Sequence, residues 1–243
     1  MCLILFAVEP NPDYRFIVAA NRDEFYSRSA EPARWWPDQP SLLAGRDQEK
    51  GGTWLGINHN GRFAAVTNFK EEAPQPQTTR SRGELPVQFL TGNQDPKTYS
   101  EGVFERAENY RGFNLLTANH DSVAYYSNRH DRPRVLKSGY YGLSNQLLDC
   151  DWPKVVEGRI LLEQCVKQEH STLVAKLFEI LSSTGDDREF SSSFIRGHKY
   201  GTRSSTVVVI KHNGEIFFEE KTFGAGGTSI NDANFLISCN VGS

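Results

Sequence analysis

Cysteine and long apolar runs are both scarce in this sequence of 243 residues. The four cysteines, Cys2, Cys150, Cys165 and Cys239, form neither a CxxC pair nor a zinc-binding pattern. No apolar run approaches the roughly 20 residues of a transmembrane helix. The apolar start of the chain has no basic segment and no small-residue cleavage site, so it is a poor signal peptide. We therefore expect reduced thiols, a cytoplasmic location and no transmembrane segment.

An excess of either charge is also missing. The chain has 27 Lys and Arg against 30 Asp and Glu, a formal net charge of −3, and neither sign is concentrated in a tail. Nucleic-acid binding, which needs a basic face or stripe, is therefore not expected. With 38% hydrophobic and 23% charged residues the composition is globular. The length suits one large sheet-rich domain, and we predict a single domain over 1–243.

Short β-type runs separated by turn residues dominate the sequence and predict paired antiparallel strands. These runs cover 2–8, 15–20, 54–58, 62–68, 114–118, 122–127, 204–211 and 215–221. The polar, proline-punctuated segment 21–40 is predicted to be a loop. Helical spacing of apolar residues predicts helices over 83–90, 96–109, 153–168 and 171–182. The order of strands, helices and strands indicates an α+β fold with layered antiparallel sheets and segregated helices.

Cys2 is the first candidate for chemistry. Removal of Met1 would leave a residue that carries both a thiol and a free α-amine, with ordinary pKa values of about 8.5 and about 7.7–8.0. The amine could accept the thiol proton near neutral pH, which is the N-terminal-nucleophile arrangement. The alternative is a buried, inert cysteine.

The tetrad 21–24, NRDE, is the second candidate, because pairing of strands 2–8 and 15–20 would bring it beside Cys2. We expect Arg22 and Asp23 to be partly buried, Arg22 to lower the pKa of the Cys2 thiol, and Asp23 to orient the new ammonium. A solvated charged turn is the alternative interpretation.

Side-chain amides that follow strand-like or turn-like segments are further candidates. Asn68, Asn114 and Asn145 could donate to a developing oxyanion, although each alone is more often a turn or cap residue. Arg203, directly before the run 204–211, could hold a carboxylate or phosphate. The six histidines have no metal-ligand spacing, and no metal site is expected.

The segments MCLI, AANRDEFYSR, GGTWLGI, SRGEL, GFNLL, YGLSN and YGTRSST occur in this order along almost the whole chain. Together they resemble the NRDE protein family, which includes the transport and Golgi organisation 2 proteins. The resemblance implies an αββα sandwich of antiparallel sheets, similar to the N-terminal-nucleophile hydrolases.

A more distant likeness links the chain to choloylglycine hydrolases and acid-ceramidase-type amidases. It implies site residues at Cys2, Arg22, Asp23, Asn68, Asn145 and Arg203. In those amidases other residues separate the arginine from the aspartate, whereas Arg22 and Asp23 are adjacent here. Asn21 or Glu24 is therefore an alternative for one of these roles.

Two function classes follow from the resemblance. The first is an intracellular protein that binds and traffics haem or a related small metabolite. The second is an N-terminal cysteine amidohydrolase or acyl transferase acting on a small amide or thioester, with no cofactor required for hydrolysis. Covalent haem attachment is excluded because there is no CxxCH motif. The adjacency of Arg22 and Asp23 favours the carrier slightly, with haem as a possible transported ligand.

Overall fold

The computed structural model describes residues 2–71 and 80–239, except for the side chain of Ser171. Two antiparallel sheets and four α-helices make up this part of the chain, which confirms the predicted α+β class. The strands are β1 Leu3–Val8, β2 Tyr14–Phe25, β3 Ala30–Trp36, β4 Gln39–Asp47, β5 Leu55–Asn58, β6 Phe63–Asn68, β7 Phe113–Ala118, β8 Val123–Ser127, β9 Arg134–Val135, β10 Gly139–Leu143, β11 Tyr200–Lys211, β12 Glu215–Phe223 and β13 Ser229–Ser238. The helices are α1 Glu84–Thr91, α2 Pro96–Phe104, α3 Pro153–Cys165 and α4 His170–Leu181.

The described residues fall into two compact units, each built on one sheet. The first unit contains 2–27, 138–144 and 148–239, and its strand order is β10-β1-β2-β11-β12-β13. The second contains 28–71, 80–137 and 145–147, and its strand order is β3 to β9 in sequence. The single domain over 1–243 stays a prediction. Within 2–71 and 80–239, no helix has the length and apolar character that crossing a bilayer requires.

Helices cover one face of the sheet in the first unit. Alternate residues of the central strands, such as Leu5, Ile17 and Val209, form one apolar core with α3 and α4. Gly158 allows α3 to lie close to β1, because a Cβ atom there would be 2.7 Å from Leu5 Cδ1. This close approach fixes the first turn of α3 relative to the start of β1, which matters for the site described below.

The second unit has the same construction with other elements. Residues of β4, β6, β7 and β8 form an apolar core with α1 and α2, and Phe89 and Phe113 are among its fully buried side chains. Arg62 is buried beside Phe89 and donates to the Phe89 and Gln94 carbonyls, so it satisfies acceptors left open at the end of α1.

The predicted loop over 21–40 is wrong. The strand β2 continues through the tetrad to Phe25, and β3 and β4 occupy most of the remainder. Polar residues can continue β2 because β11 pairs with it along its whole length. Pro32 is tolerated in β3 because this strand lies at the edge of its sheet.

Besides β3 and β4, three strands lie outside the predicted set: the two-residue β9, β10 with two glycines, and β13 with a largely polar sequence. One predicted helix is too long: α2 ends at Phe104 and a 3₁₀ turn follows at Ala107–Asn109. The other predicted strand pairs and helices are confirmed, with shifts of a few residues at their ends.

Candidate functional site

The antiparallel pairing of β1 with β2 places the tetrad beside Cys2, as the sequence predicts. Leu3 pairs with Asn21, so Cys2 lies next to the polar end of β2. On the other side of β2, Asp23 pairs with Thr202 and Arg22 with Ser204 of β11. The end of three neighbouring strands therefore gathers these polar residues in the first unit.

Asp23 is the buried carboxylate of this group, with 5% of its surface exposed. The Thr202 hydroxyl donates to Asp23 Oδ1 at 2.6 Å. Burial raises the pKa of the Asp23 carboxyl, and the charge of the chain's amino terminus, the Thr202 hydrogen bond and the charge of Lys154 act in the opposite direction. The ionised form of Asp23 is therefore stabilised by these neighbouring groups against the effect of burial.

Lys154 is the buried cation beside it. Only 2% of Lys154 is exposed, although it lies in the first turn of α3, directly after Pro153. Burial lowers the pKa of its ammonium, while the charges of Asp23, Cys2 and Cys150 raise it. Its Nζ lies 5.8 Å from the centre of the Trp152 ring. A lysine in the first turn of a helix is opposed by the helix dipole, so this position needs compensating negative charge.

Two donors converge on the carbonyl oxygen of Cys2. Ser144 Oγ donates to it at 2.5 Å and Lys154 Nζ at 3.5 Å. Burial raises the pKa of the Cys2 thiol and the charge of Asp23 adds to this shift, while the charges of the chain's amino terminus and of Arg22 oppose it. Arg22 lowers the thiol pKa, as the sequence predicts, but desolvation outweighs it and the net shift is upward in the chain that retains Met1. The pKa of the thiol in a processed N-terminal Cys2 stays a prediction. We refer to Cys2, Asp23, Ser144, Lys154 and Thr202 as the Cys2 cluster.

The two candidate arginines occupy different positions in the first unit. Arg22 is 7% exposed and Asp23 5%, which confirms the predicted burial of these two residues and excludes a solvated charged turn. Arg203 lies at an irregularity in the pairing of β11 with β2 and donates to the Phe25 carbonyl at 3.1 Å. Its guanidinium carbon is 5.4 Å from the centre of the Tyr26 ring.

The side-chain amide of Asn21 forms hydrogen bonds with other parts of the first unit. Its side-chain nitrogen donates to the carbonyls of Leu181 and Ser193, both at 2.8 Å, and its oxygen accepts from Ser205 Oγ at 2.6 Å. Glu24 is half-buried and accepts from the neighbouring Phe25 amide. Asn21 therefore connects β2 to the end of α4 and has a structural role. This favours Arg22 and Asp23 as the residues of the tetrad that take part in chemistry.

The three candidate asparagines belong to the second unit. Asn145 Nδ2 donates to the Asn68 carbonyl at 2.7 Å, and the Asn68 side chain is exposed. Asn114 is fully buried; it donates to Thr67 Oγ1 and to the Gln146 carbonyl and accepts from the Tyr125 hydroxyl. Asn114 is therefore a structural residue, while the oxyanion role of Asn68 and Asn145 stays a prediction.

Sequence reasoning did not select Lys154 or Ser144. A signal for Lys154 was present, since a basic residue in the first turn of a predicted helix opposes the helix dipole. Ser144 has no comparable signal, because its role depends on the pairing of β10 with β1, and β10 was not predicted.

Comparison with protein families gives one match over most of the chain. The model described as Transport and Golgi organisation 2 matches residues 1–225. The mouse Transport and Golgi organization 2 homolog is 35% identical over 257 residues, covering 91% of this chain and 93% of the mouse protein. The human homolog is 36% identical over 260 residues with the same coverage, and the Drosophila melanogaster protein is 28% identical over 261 residues, covering 91% of this chain and 92% of that protein.

Two solved structures are similar in fold at low identity. One is the Caenorhabditis elegans N-acylethanolamine-hydrolyzing acid amidase ortholog, with a TM-score of 0.44, 14% identity, and coverage of 86% of this chain and 92% of that chain. The other is a mutant conjugated bile acid hydrolase from Clostridium perfringens, with a TM-score of 0.45, 12% identity, and coverage of 100% and 94%. Likenesses at this level support no conclusion about the chemistry of this chain.

Family membership rests on the sequence matches alone. The family model covers more than nine-tenths of the 243 residues, and the mouse and human proteins match this chain over nearly their full length. The chain belongs to the Transport and Golgi organisation 2 family.

Proposed function

We propose that this protein is an N-terminal cysteine hydrolase or acyl transferase that acts on a small amide or thioester, with Cys2 as its nucleophile after removal of Met1. The observation that carries the proposal is the Cys2 cluster, in which a buried carboxylate and a buried ammonium lie beside the half-buried Cys2. Buried ionisable groups reduce stability, and they concentrate at sites that use their charges.

The reaction would proceed in two steps that return the protein unchanged. The α-amine of the processed Cys2 takes the thiol proton, and Sγ attacks the carbonyl carbon, whose π electron pair moves to oxygen. When the carbonyl re-forms, the leaving amine or thiol departs with that proton, and the acyl group stays on Sγ as a thioester. Water, or another acceptor in a transferase, attacks this thioester while the amine takes the acceptor's proton and returns it to Sγ.

The neighbouring charges suit this sequence of protonation states. The Asp23 carboxylate stabilises the ammonium that forms when the amine takes the proton, and Thr202 holds Asp23 Oδ1. Because burial raises the thiol pKa, the thiol needs a base beside it, and the α-amine of the same residue would be that base. The four cysteines are free thiols, which supports the cytoplasmic location that we propose.

A carrier of haem or a related metabolite is the second candidate, and it comes from the family resemblance. Haem ligation needs an axial side chain beside an apolar slot. Five of the six histidines are exposed. The sixth, His170, is half-buried beside Tyr14, at the end of β2 opposite to Arg22. A haem carrier that uses the Cys2 cluster would therefore need the Cys2 thiolate as its axial ligand, and burial, which raises the pKa of that thiol, opposes this.

The test begins with intact-mass spectrometry of the purified protein, which we expect to show loss of Met1. Turnover of short N-acyl amides and acyl thioesters is then measured for the wild type, Cys2→Ala and, as a matched half-buried cysteine, Cys239→Ser. We expect Cys2→Ala to reduce turnover by at least roughly 10³-fold and Cys239→Ser to retain it. In the same assay, loss of a predicted oxyanion donor, Asn68 or Asn145, should cost roughly 10²–10³-fold.

The carrier is tested in parallel by titrating haem and following absorbance for the wild type, Cys2→Ala and His170→Ala. Retention of Met1, or turnover that is equal in the wild type and Cys2→Ala, would sink the hydrolase proposal. A saturable haem spectrum without turnover of any substrate would favour the carrier.

A further inference from the structure

Lys154 is the buried charge that the proposed reaction does not yet use. Its burial is nearly complete, and its Nζ lies 3.5 Å from the Cys2 carbonyl oxygen, which also accepts from Ser144 Oγ. We propose that Lys154 is a positioning residue of this site: with Ser144 it fixes the main chain of Cys2, and its buried ammonium offsets the negative charge of the buried Asp23 carboxylate. This inference rests on the proposed function, because it assigns Lys154 a role in preparing that nucleophile.

The fold places Lys154 firmly enough for this role. Pro153 and Lys154 open α3, and the Lys154 amide donates to the Phe190 carbonyl at 3.2 Å. Gly158, one turn later, holds α3 against Leu5 of β1. The Lys154 side chain therefore starts from a backbone that is tied to the strand that follows Cys2.

The charges around Asp23 indicate why a cation is needed there. The ionisable side chains whose charges act on Asp23 or Lys154 come from four segments: Cys2 before β1, Tyr26 after β2, Cys150 before α3, and Lys154 in α3. On β2 itself, Arg22 and Glu24 are the sequence neighbours of Asp23, and Thr202 contributes a neutral donor from β11. Of the cations, the chain's amino terminus lowers the pKa of both the thiol and the carboxyl, Arg22 lowers that of the thiol, and Lys154 lowers that of the carboxyl.

A protonated Asp23 would lose the negative charge that stabilises the Cys2 ammonium. Burial already favours that protonated form, and the chain's amino terminus, the Thr202 hydroxyl and Lys154 each oppose it. Removing the ammonium should therefore shift Asp23 toward protonation near neutral pH. A residue that only filled space would leave the protonation of Asp23 unchanged, which separates the two roles experimentally.

The test follows the side-chain carboxyl carbon of Asp23 by carbon-13 NMR across pH, with the signal assigned from Asp23→Asn. Four proteins are compared: the wild type, Lys154→Gln, Lys154→Arg and Ser144→Ala. We expect the titration midpoint of Asp23 to rise by about one pH unit or more in Lys154→Gln. Lys154→Arg keeps the charge and Ser144→Ala removes only a neutral donor, so their midpoints should stay within about 0.3 pH units of the wild type.

Turnover provides a second readout. The acid limb of the pH–rate profile should move to higher pH in Lys154→Gln and return toward the wild-type position in Lys154→Arg. A Lys154→Gln protein that folds, by circular dichroism, but titrates at Asp23 like the wild type overturns the inference. If Lys154→Gln does not fold, an unchanged Asp23 midpoint in Lys154→Ala or Lys154→Met overturns it. Because the NMR titration needs no substrate, it can succeed even where no turnover is found, and that result would count against the proposed function alone.

Discussion

Each of the two units buries a polar cluster, and the two clusters differ in charge. In the first unit, the Cys2 cluster combines a carboxylate, an ammonium and a thiol, all with pKa values displaced by burial. In the second, Asn114 connects Thr67, Tyr125 and the Gln146 carbonyl through neutral hydrogen bonds of 2.9 to 3.1 Å. Neutral groups that complete their hydrogen bonds stabilise a fold, whereas buried charges cost desolvation free energy.

This difference separates a structural cluster from a functional one. Both include polar residues on strands, Asp23 and Thr202 in the first unit and Thr67 and Asn114 in the second, and these four residues are almost inaccessible to solvent. Burial of polar residues alone therefore does not mark a site. The Cys2 cluster differs because it contains ionisable groups whose pKa values are shifted by burial.

The largest stability effect should come from the neutral cluster. Asn114→Ala would leave the Tyr125 hydroxyl, the Thr67 hydroxyl and the Gln146 carbonyl without their shared partner. We expect a loss of about 3 kcal/mol in the free energy of unfolding, measured by chemical denaturation. The exposed Asn60→Ala is the control and should stay within about 0.5 kcal/mol of the wild type. An Asn114→Ala loss no larger than this control would remove the structural role assigned to Asn114.

A matched pair of threonines sharpens the comparison between the clusters. Thr202 donates to the Asp23 carboxylate at 2.6 Å and accepts from the Ile195 amide at 2.9 Å, whereas Thr67 accepts from the neutral Asn114 amide at 3.0 Å. We expect Thr202→Val to cost about 2 kcal/mol and Thr67→Val about 1 kcal/mol, because hydrogen bonds to ionised groups are stronger. Equal losses in denaturation experiments would indicate that Asp23 is neutral in the folded protein.

The smallest effect should appear in the pH dependence of stability and involves His170, away from both clusters. Burial, helped by the charge of Lys211, lowers the pKa of His170, and Glu215 opposes the shift. Below the ordinary value of about 6.5, the unfolded chain therefore binds a proton that the folded chain resists. The neutral His170 therefore contributes its full share to the free energy of unfolding above about pH 6.5. That free energy falls as the pH drops from about 6.5 toward the lowered pKa of His170 in the folded protein.

His170→Gln removes this proton. The wild type should therefore lose more stability than His170→Gln between about pH 7.5 and about pH 5. The measurement is chemical denaturation of both proteins at the two pH values. Parallel losses would show that the His170 environment does not resist protonation.

Much of the fold could be predicted because its signals are local. The strand pairs around the turns at 59–61, 119–121 and 212–214 and the helices α3 and α4 have clear periodicity and turn residues, and they are confirmed. The segment 21–40 was predicted wrongly because its strands are polar and contain proline. Their stability comes from pairing with β11 and from the edge position of β3, neither of which is encoded within that segment.

The candidate site was predictable only in part, for the same reason. The sequence by itself determined the family through the order of its motifs, and it determined that the tetrad lies beside Cys2, because β1 and β2 are consecutive strands whose pairing fixes that contact. Only the tertiary structure decided which tetrad residue ties the fold together and which carries charge, since Asn21 meets Leu181 and Ser193 far along the chain. It also decided that Lys154 and Ser144 meet at the Cys2 carbonyl, because such convergence depends on how α3 and β10 pack against β1 and on no local pattern.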